Sequence, residues 1–327
     1  MTEPSAETGR DEFLRDEFLA DEFLADEFLG DVLAGLSASP RRLPGKYIWD
    51  EAGSVLFDCI CDHPDYYPMR GETALLPDAA REAAGLVGPG ATIVEYGSGA
   101  SRKTRTLLDA LDRPARYVAI DISRDFLEAS VRRLAADYPG IAMIPVCADF
   151  SKPIRLPFED DGPVLGYFSG TSIGNLAPAE ARAFLARARE TLRASRFLVG
   201  TDPTQDEDRL RRAYGACGGL MPALHLNMLT RLKRELGAEI AEDAFRHEVC
   251  ILREPFRVEA HLVAARASTW RLGEHRFAFE AGESVRTDTS HKYAPDAFRA
   301  LAAEAGWTPE RLWLHPEGAF GLHLLRG

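Results

Sequence analysis

The sequence predicts an α/β protein in which a parallel sheet is covered by helices on both faces and a second, smaller α+β domain is attached. From about residue 75, short apolar segments alternate with stretches that favour helix. This pattern is typical of βαβ units, whose strands are parallel and buried. Between residues 205 and 285 the alternation breaks. We interpret that stretch as an insertion that packs with the N-terminal region.

The predicted elements follow in a regular order. They are a helix at 75–87, the strand ATIVEY, a helix at 103–112, the strand RYVAIDIS, a helix at 124–138, the strands IAMIPVCADF and VLGYFSGT, a helix from Pro178 to about 193, and the strand RFLVGTD. A helix near 206–237 and then strand-like segments form the insertion. A helix at 295–305 precedes RLWLH and AFGLHLL, which a Pro-Glu-Gly turn joins as a strand pair.

The N-terminal region contains a five-residue unit written four times, DEFLRDEFLADEFLADEFLG, at residues 11–30. A helix turns about 100° per residue, so this period rotates successive Phe-Leu pairs by about 140° and produces no single apolar stripe. We predict an acidic, low-complexity helical lead-in without a chemical role. Residues 43–72 are rich in Pro, Gly and aromatic residues, which indicates an ordered cap because linkers rarely carry so many rings.

The composition excludes several classes of function. The chain is 46% hydrophobic and 28% charged, as in a globular protein, and no apolar run is long enough for a membrane span. Its net charge of −12 opposes binding to nucleic acid. The cysteines form no CxxC pair and the N-terminus has no secretion signal, which favours a reducing cytoplasm. His225, His247 and His261 lack the spacing of metal ligands, so no metal is expected.

The loop EYGSG, residues 95–99, lies between a predicted buried strand and a helix. Glycines there allow a tight turn and offer free N–H groups to a ligand, although a plain tight turn is the alternative. Asp121 ends the next strand, 24 residues after Gly97, where an acid binds both hydroxyls of a ribose. Asp149 and Phe150 end the third strand, where an acid accepts from an adenine amino group and a ring packs on its face.

The details of this loop distinguish between nucleotide ligands. Arg102 occupies the third glycine position of a dinucleotide fingerprint, so a dinucleotide-dependent oxidoreductase is disfavoured. The motif GxxxxGK[ST] is missing, so a nucleoside triphosphate is also disfavoured. An acid before GxG, acids after the second and third strands and a terminal strand pair resemble the class I S-adenosylmethionine (SAM)-dependent methyltransferases, with their Rossmann-like sheet. In that family, an acid such as Glu95 and the glycine loop face the methionine end of SAM.

Four longer segments narrow the resemblance. They are LPGKYIWDEAGSVLFDCICDHPDYYPMR, EYGSGASRKTRTLLDAL, GTSIGNLAP and LNMLTRLKRELGA. Together they resemble the histidine-specific methyltransferases of ergothioneine biosynthesis, and the similarity runs from about residue 31 to the end. Those enzymes methylate the α-amino nitrogen of L-histidine three times and produce the betaine hercynine. The resemblance therefore implies a SAM-dependent L-histidine N-α-methyltransferase.

The resemblance also implies two sets of site residues. The cofactor-binding set is Glu95, Gly97, Gly99, Lys103, Asp121, Asp149 and Phe150, with Lys103 reaching the carboxylate of SAM. The substrate-binding set is Trp49, Tyr66, Gly170, Asn175, Tyr214, Ala260, Asp288 and Ser290. Asn175 and Tyr214 would bind the amino and carboxylate groups, whereas Asp288 and Ser290, which share one face of a strand, would face the side chain. The implied catalytic residues are Tyr66, as a proton relay, and Asn175.

These residue types suit methylation of an amine. The amide oxygen of Asn175 accepts from the amine without giving it a full counter-charge, so the neutral, nucleophilic form is retained. Catalysis would be mainly proximity along a line from nitrogen to methyl to sulfur. Each residue also has a structural alternative: Tyr66 and Tyr214 as packing aromatics, Asn175 as a residue at a helix start, and Lys103 as a solvated helix residue.

Three positions depart from the family pattern. Asp288 stands where the family usually has Glu, Trp49 where it has Tyr, and Ala260 where it has Met. Asp288 is one methylene shorter, so an imidazole must lie deeper or be reached through a water. Two alternatives therefore stay open: methylation of another amino acid or histidine derivative in a reshaped pocket, and a non-catalytic SAM-binding protein.

The resemblance implies a discontinuous division of the chain. We predict a lead-in at 1–30, a substrate-capping α+β domain at 31–70 and 205–287, and a SAM-binding domain at 71–204 and 288–327. We expect a cytoplasmic monomer that binds a small amino acid and neither nucleic acid nor membrane.

Overall fold

A computed structural model describes residues 26–158, 162–192 and 195–327 of the protein. Most of the repeat at 11–30 therefore lies outside the described residues. Its last unit begins helix α1, at 26–37, where Phe28 is buried and stacks on Tyr47 with ring centroids 4.1 Å apart. The predicted domain boundaries stay a prediction.

A seven-stranded sheet forms the centre of the molecule, in the order β3-β2-β1-β4-β5-β12-β11. The first five strands are parallel and the last two antiparallel, which confirms the predicted α/β class and the terminal strand pair. The strands are β1 (Thr92–Tyr96), β2 (Arg116–Asp121), β3 (Ala142–Cys147), β4 (Val164–Phe168), β5 (Arg196–Thr201), β11 (Thr308–Leu314) and β12 (Gly321–Arg326).

Helices cover the two faces of this sheet because its central strands are apolar on both sides. Every residue of β1 and β4 is buried, as expected for parallel strands. One apolar cluster joins these strands to α3 and α4, and another joins them to α6 and α9. The covering helices are α3 (Tyr67–Val87), α4 (Thr104–Ala110), α5 (Arg124–Asp137), α6 (Pro178–Thr191) and α9 (Pro295–Glu304).

The remaining elements form a second layer over the carboxyl edge of the large sheet. An antiparallel sheet of order β10-β7-β6 packs on α8, and the hairpin β8-β9 lies beside it. Their bounds are α2 (Glu51–Asp62), α7 (Glu207–Leu210), α8 (Leu220–Leu236), β6 (Phe245–Arg253), β7 (Phe256–Ala264), β8 (Ser268–Leu272), β9 (His275–Phe279) and β10 (Ser284–His291). None of the helices in the described ranges has the length and apolar character needed to span a membrane.

The prediction of a helix near 206–237 is wrong in one respect, because the structure breaks it. A π-helical turn, Arg211–Ala216, and a 3₁₀ turn, Cys217–Gly219, separate α7 from α8. Cys217, Gly218 and Gly219 all have positive φ, which no α-helix accommodates. A β-carbon on Gly218 would lie 2.6 Å from Nε2 of His63, so a larger residue would displace the His63 ring as well as adopt an unfavourable positive φ. The break sets the position of Tyr214.

Candidate active site

A cavity of about 630 Å³ lies between the carboxyl edge of the large sheet and the second layer. Open parallel sheets bind ligands at this edge. All residues of both predicted sets line the cavity, from Glu95 and the glycine loop to Asp288 and Ser290. In the described part of the chain, no cluster of three or more His, Cys, Asp or Glu side chains is arranged to hold a metal ion. The individual roles remain predictions.

The glycine loop is held against Asp121. The backbone N–H of Gly99 donates to Oδ2 of Asp121 at 3.0 Å, and that of Ser123 donates to Oδ1 at 3.1 Å. Gly97 and Gly99 both have positive φ, so the loop requires residues without a β-carbon. Burial raises the pKa of the Asp121 carboxyl, although these backbone N–H groups oppose the rise. Asp121 is thus already oriented toward the cavity.

Glu95 lies beneath the same loop. Its Oε2 accepts hydrogen bonds from the hydroxyls of Thr104 at 2.6 Å and Tyr117 at 2.7 Å. Burial raises the pKa of Glu95 to about 7 against these two hydrogen bonds. Neither Thr104, which lies within EYGSGASRKTRTLLDAL, nor Tyr117, in the next predicted strand, was predicted to hold Glu95.

Asp149 and Phe150 lie at the far end of the cavity, under helix α1. Lys46 is 3.8 Å from Oδ2 of Asp149 and 2.8 Å from Oε1 of Glu27. Glu27 also accepts from Lys152 at 2.8 Å. These ion pairs connect the last repeat unit to the predicted adenine end of the cavity.

Lys103 is paired with Glu72, a residue that the sequence analysis missed. The Lys103 ammonium is 2.5 Å from Oε2 of Glu72, and its side chain is 17% exposed, so Lys103 is not a solvated helix residue. Glu72 is fully buried and also accepts from the hydroxyl of Tyr167 at 2.6 Å and the N–H of Gly170 at 2.9 Å. One carboxylate on α3 therefore holds both Lys103 and the loop after β4.

Aromatic rings line the opposite wall. Trp49, Phe57, Tyr66 and Tyr214 form a series of edge-to-face contacts with centroid separations of 5.1, 5.7 and 6.1 Å. Burial raises the pKa of Tyr66 well above its usual value, and the neighbouring Tyr214 acts in the same direction. The Tyr66 phenol therefore stays protonated, so it can donate a hydrogen bond but is not an anionic base. Such rings also stabilise positive charge near their faces.

Asn175 ends a 3₁₀ turn, Ser172–Asn175, that is fixed against β10. The carbonyl of Gly174 is 3.0 Å from Nδ1 of His291, and a β-carbon on Gly174 would lie 2.6 Å from the His291 carbonyl oxygen. The first residue of α6 is Pro178 and its N-cap is Ala177, so Asn175 does not cap that helix. The turn instead brings the Asn175 amide to the cavity beside β10.

Asp288 lies on β10 opposite Ala260 of β7, where the strand pairing is irregular between Arg286 and Asp288. Burial raises the pKa of the Asp288 carboxyl to about 7, against a backbone hydrogen bond from Thr289 and the charge of nearby cations. A β-carbon on Gly45 would lie 3.0 Å from Oδ1 of Asp288. Because residues 286–290 all line the cavity, β10 does not present two cleanly separated faces here.

His225 forms the wall beside Ala260. The Thr287 hydroxyl donates to the Ala260 carbonyl at 3.2 Å, so it accepts from Nδ1 of His225 at 2.9 Å. Burial lowers the pKa of His225 well below its usual value, and His247, stacked on it at 4.7 Å, acts in the same direction. His225 is therefore neutral and contributes to the shape of the cavity.

A buried ion pair lies directly behind the substrate wall. Lys292 and Asp202 are 2.8 Å apart, and neither side chain has exposed surface. Lys292 also donates to the hydroxyls of Tyr214 at 2.8 Å and Ser290 at 2.9 Å. No sequence pattern distinguished this lysine or this acid from solvated residues.

Comparison with known proteins finds similar sequences over nearly the whole chain. The family model described as histidine-specific, SAM-dependent methyltransferase matches residues 28–327. The histidine N-alpha-methyltransferase of Mycolicibacterium smegmatis is 38% identical over 300 residues, which cover 90% of this chain and 92% of that protein. The Mycobacterium tuberculosis protein of the same name is 37% identical, with 90% and 92% covered. A 4-dimethylallyltryptophan N-methyltransferase of Claviceps fusiformis is 25% identical, with 86% and 87% covered.

Proposed function

The chain belongs to the family of histidine-specific, SAM-dependent methyltransferases, and on that basis we propose that it methylates the α-amino nitrogen of L-histidine. Three successive transfers would give the trimethylated betaine hercynine. The observation that carries the proposal is a single cavity lined by both residue sets, with the glycine loop at one end and Asp288 at the other.

The cofactor end suits SAM. Asp121, oriented by two backbone N–H groups, would accept from the ribose hydroxyls, and Phe150 would pack against the adenine beside Asp149. When bound, SAM supplies an electrophilic methyl group on a sulfonium. Lys103 is the cation at the cavity wall that can pair with the carboxylate of SAM while it shares Glu72.

The substrate end suits an amino acid with a free amine. The Asn175 amide accepts from the amine and Tyr214 donates to the carboxylate, so the backbone of the substrate is recognised by neutral groups. A neutral acceptor stabilises the ammonium form, which has no lone pair for methyl transfer, less than a carboxylate would. The surrounding rings exclude water and tolerate the positive charge that accumulates with each methyl.

The side chain of the substrate meets Asp288. A carboxylate at this place accepts an imidazole N–H, which gives histidine an advantage over side chains without such a donor. A larger aromatic amino acid is the second candidate substrate. It is favoured by the small Ala260 directly opposite Asp288, and a relative is named as an N-methyltransferase of 4-dimethylallyltryptophan.

We also infer that the protein acts as a cytoplasmic monomer. Both predicted residue sets meet in one cavity within a single chain, so one copy can hold both ligands. Cys59, Cys61, Cys147, Cys217 and Cys250 are all free thiols, which suits a reducing compartment. Light scattering coupled to size-exclusion chromatography tests the oligomeric state.

The experiment that tests the proposal is incubation of the protein with SAM and each of the twenty amino acids, followed by mass spectrometry. We expect histidine to gain three methyl groups and the other amino acids to gain none at comparable rates. Methylation of a different amino acid alone would replace histidine as the substrate. Turnover of no amino acid, together with measurable SAM binding, would point to a non-catalytic SAM-binding protein.

A further inference from the structure

The ammonium group of Lys292 has an unusual set of partners for a lysine. It is completely buried and donates to Oδ2 of Asp202, the hydroxyl of Tyr214 and the hydroxyl of Ser290, at 2.8, 2.8 and 2.9 Å. An ammonium carries three hydrogens and no acceptor, so these three bonds use all its donors. Lys292 itself does not line the cavity, whereas Tyr214 and Ser290 do.

These bonds determine whether the two hydroxyls donate or accept toward the cavity. A hydroxyl oxygen that accepts from Lys292 keeps its own hydrogen for another acceptor. In the described part of the chain, neither hydroxyl donates to a protein acceptor, so each hydrogen is available to a ligand in the cavity.

We propose that Lys292 is a positioning residue that fixes Tyr214 and Ser290 as hydrogen-bond donors toward the amino acid substrate. The inference rests on the proposed function and specifies how the same site recognises the amino acid substrate. Tyr214 then requires an acceptor, which the carboxylate supplies. Ser290 requires a bare ring nitrogen, while Asp288 accepts from the N–H on the other nitrogen. The site thus selects a neutral imidazole in one tautomer, a combination that neither indole nor a simple hydrocarbon ring offers.

The rest of the cluster keeps Lys292 in place. Oδ2 of Asp202 also accepts from the hydroxyl of Tyr67 at 2.5 Å, and Oδ1 accepts from the N–H of Thr204 at 2.9 Å. Burial opposes the charge on Lys292, but the carboxylate of Asp202 and the hydrogen bonds more than offset it, so the pKa of Lys292 is raised. The lysine therefore stays charged and keeps all three donors.

The first test uses a variant in which the buried charge is removed as a pair, because a lone Asp202 would carry an unpaired buried charge. In Lys292→Met/Asp202→Asn, we expect the KM for L-histidine to rise by about 10- to 100-fold, since both hydroxyls are free to rotate away. The Kd for S-adenosylhomocysteine should stay within about twofold, because that site shares no partner with the cluster. The matched control is Lys233→Met, which removes an exposed lysine that pairs with Glu242.

A purely structural role for Lys292 predicts different behaviour in a double-mutant cycle. If Lys292 acts through Ser290, Ser290→Ala should raise the KM by about tenfold in the wild-type chain and by less than about twofold in the double variant. Equal effects in both backgrounds would overturn the proposal. So would an unchanged or lower KM in the double variant, because the two hydroxyls would then bind the substrate equally well without Lys292.

The second test needs no variant and so does not depend on the folding of one. Nitrogen NMR of ring-labelled histidine, bound to the wild-type protein with S-adenosylhomocysteine, should show one protonated and one bare ring nitrogen. Two protonated nitrogens would overturn the inference. If the protein methylates histidine but binds it with both ring nitrogens protonated, only this inference is contradicted. If the wild-type chain neither binds nor methylates histidine, the proposed function itself is contradicted.

Discussion

The ammonium of Lys103 lies 2.5 Å from a carboxylate oxygen of Glu72, and Glu72 is fully buried. The same carboxylate accepts from the N–H of Gly170, at the start of the loop that carries Asn175. A residue predicted to bind SAM and a loop predicted to bind the amino acid are thus attached to one group on α3. This arrangement connects the two halves of the cavity.

Replacing Glu72 by Gln should weaken both the fold and cofactor binding. The Gln amide is the same size as the carboxylate, but its N–H hydrogens would face the donors Lys103 and Gly170. We therefore expect the free energy of unfolding to fall by about 1–3 kcal/mol. Urea unfolding measures this, and calorimetry should show weaker binding of S-adenosylhomocysteine. Glu82→Gln, on the exposed face of the same helix, is the control and should change stability by about 0.5 kcal/mol or less. Equal losses in the two variants would contradict the role of Glu72.

Asn175→Ala should reduce turnover by about 100-fold or more, because the amine loses the group that orients it. Binding of S-adenosylhomocysteine should be nearly unchanged; its loss would show that Asn175 belongs to the cofactor site instead. Asn175→Asp provides a sharper comparison. A carboxylate there stabilises the ammonium form, so its activity should recover only at higher pH than that of the wild type.

Histidine binding should improve as the pH rises through about 7. Burial raises the pKa of Asp288 to about 7, so below that pH the carboxyl is protonated and above it the carboxylate accepts an imidazole N–H. The KM for L-histidine should therefore fall between about pH 6 and pH 8, and this fall should be smaller in Asp288→Asn. Free histidine titrates identically with both proteins, so the difference between them isolates Asp288. Parallel pH profiles would rule out this role.

The pH dependence of stability provides an independent check on Asp288. Rising pH should favour histidine binding but lower the free energy of unfolding. Its carboxyl keeps a proton in the folded chain that the unfolded chain releases, so its contribution lowers the free energy of unfolding as the pH rises from about 4 to about 7. Asp288→Asn removes this contribution and should gain stability relative to the wild type over the same range.

Asp288→Glu tests whether reach limits histidine binding. If the shorter side chain leaves a gap to the imidazole, the extra methylene should lower the KM for L-histidine. Gly45 leaves the space beside the carboxylate open, since a β-carbon there would approach Oδ1 to 3.0 Å. A higher KM would mean that the pocket is shaped for another geometry or another amino acid.

The sequence predicted the parts of the site that lie at strand ends. Asp121, Asp149 and the glycine loop follow parallel strands, and such ends converge at one edge of a sheet. The residues that hold the site from behind were not predictable. Glu72 lies inside an ordinary amphipathic helix and Lys292 lies just beyond a strand. At such positions the sequence does not distinguish a buried Glu or Lys from an exposed one.

The break before α8 was missed for a related reason. Cys217 gives no warning of its positive φ, but the adjacent Gly218-Gly219 is a turn signal that the helical periodicity outweighed. The periodicity of residues 206–237 therefore predicted a helix through the turn that positions Tyr214. The resemblance named Tyr214, but its position is explained only by the π-helical and 3₁₀ turns before α8.

Proton NMR of the product formed from L-histidine and excess SAM tests the central claim most directly. We predict one singlet from three equivalent methyl groups on the α-nitrogen, with both ring C–H signals retained and no methyl on a ring nitrogen. A methyl signal on the imidazole, or unmethylated histidine after prolonged incubation with protein that binds SAM, would contradict the account.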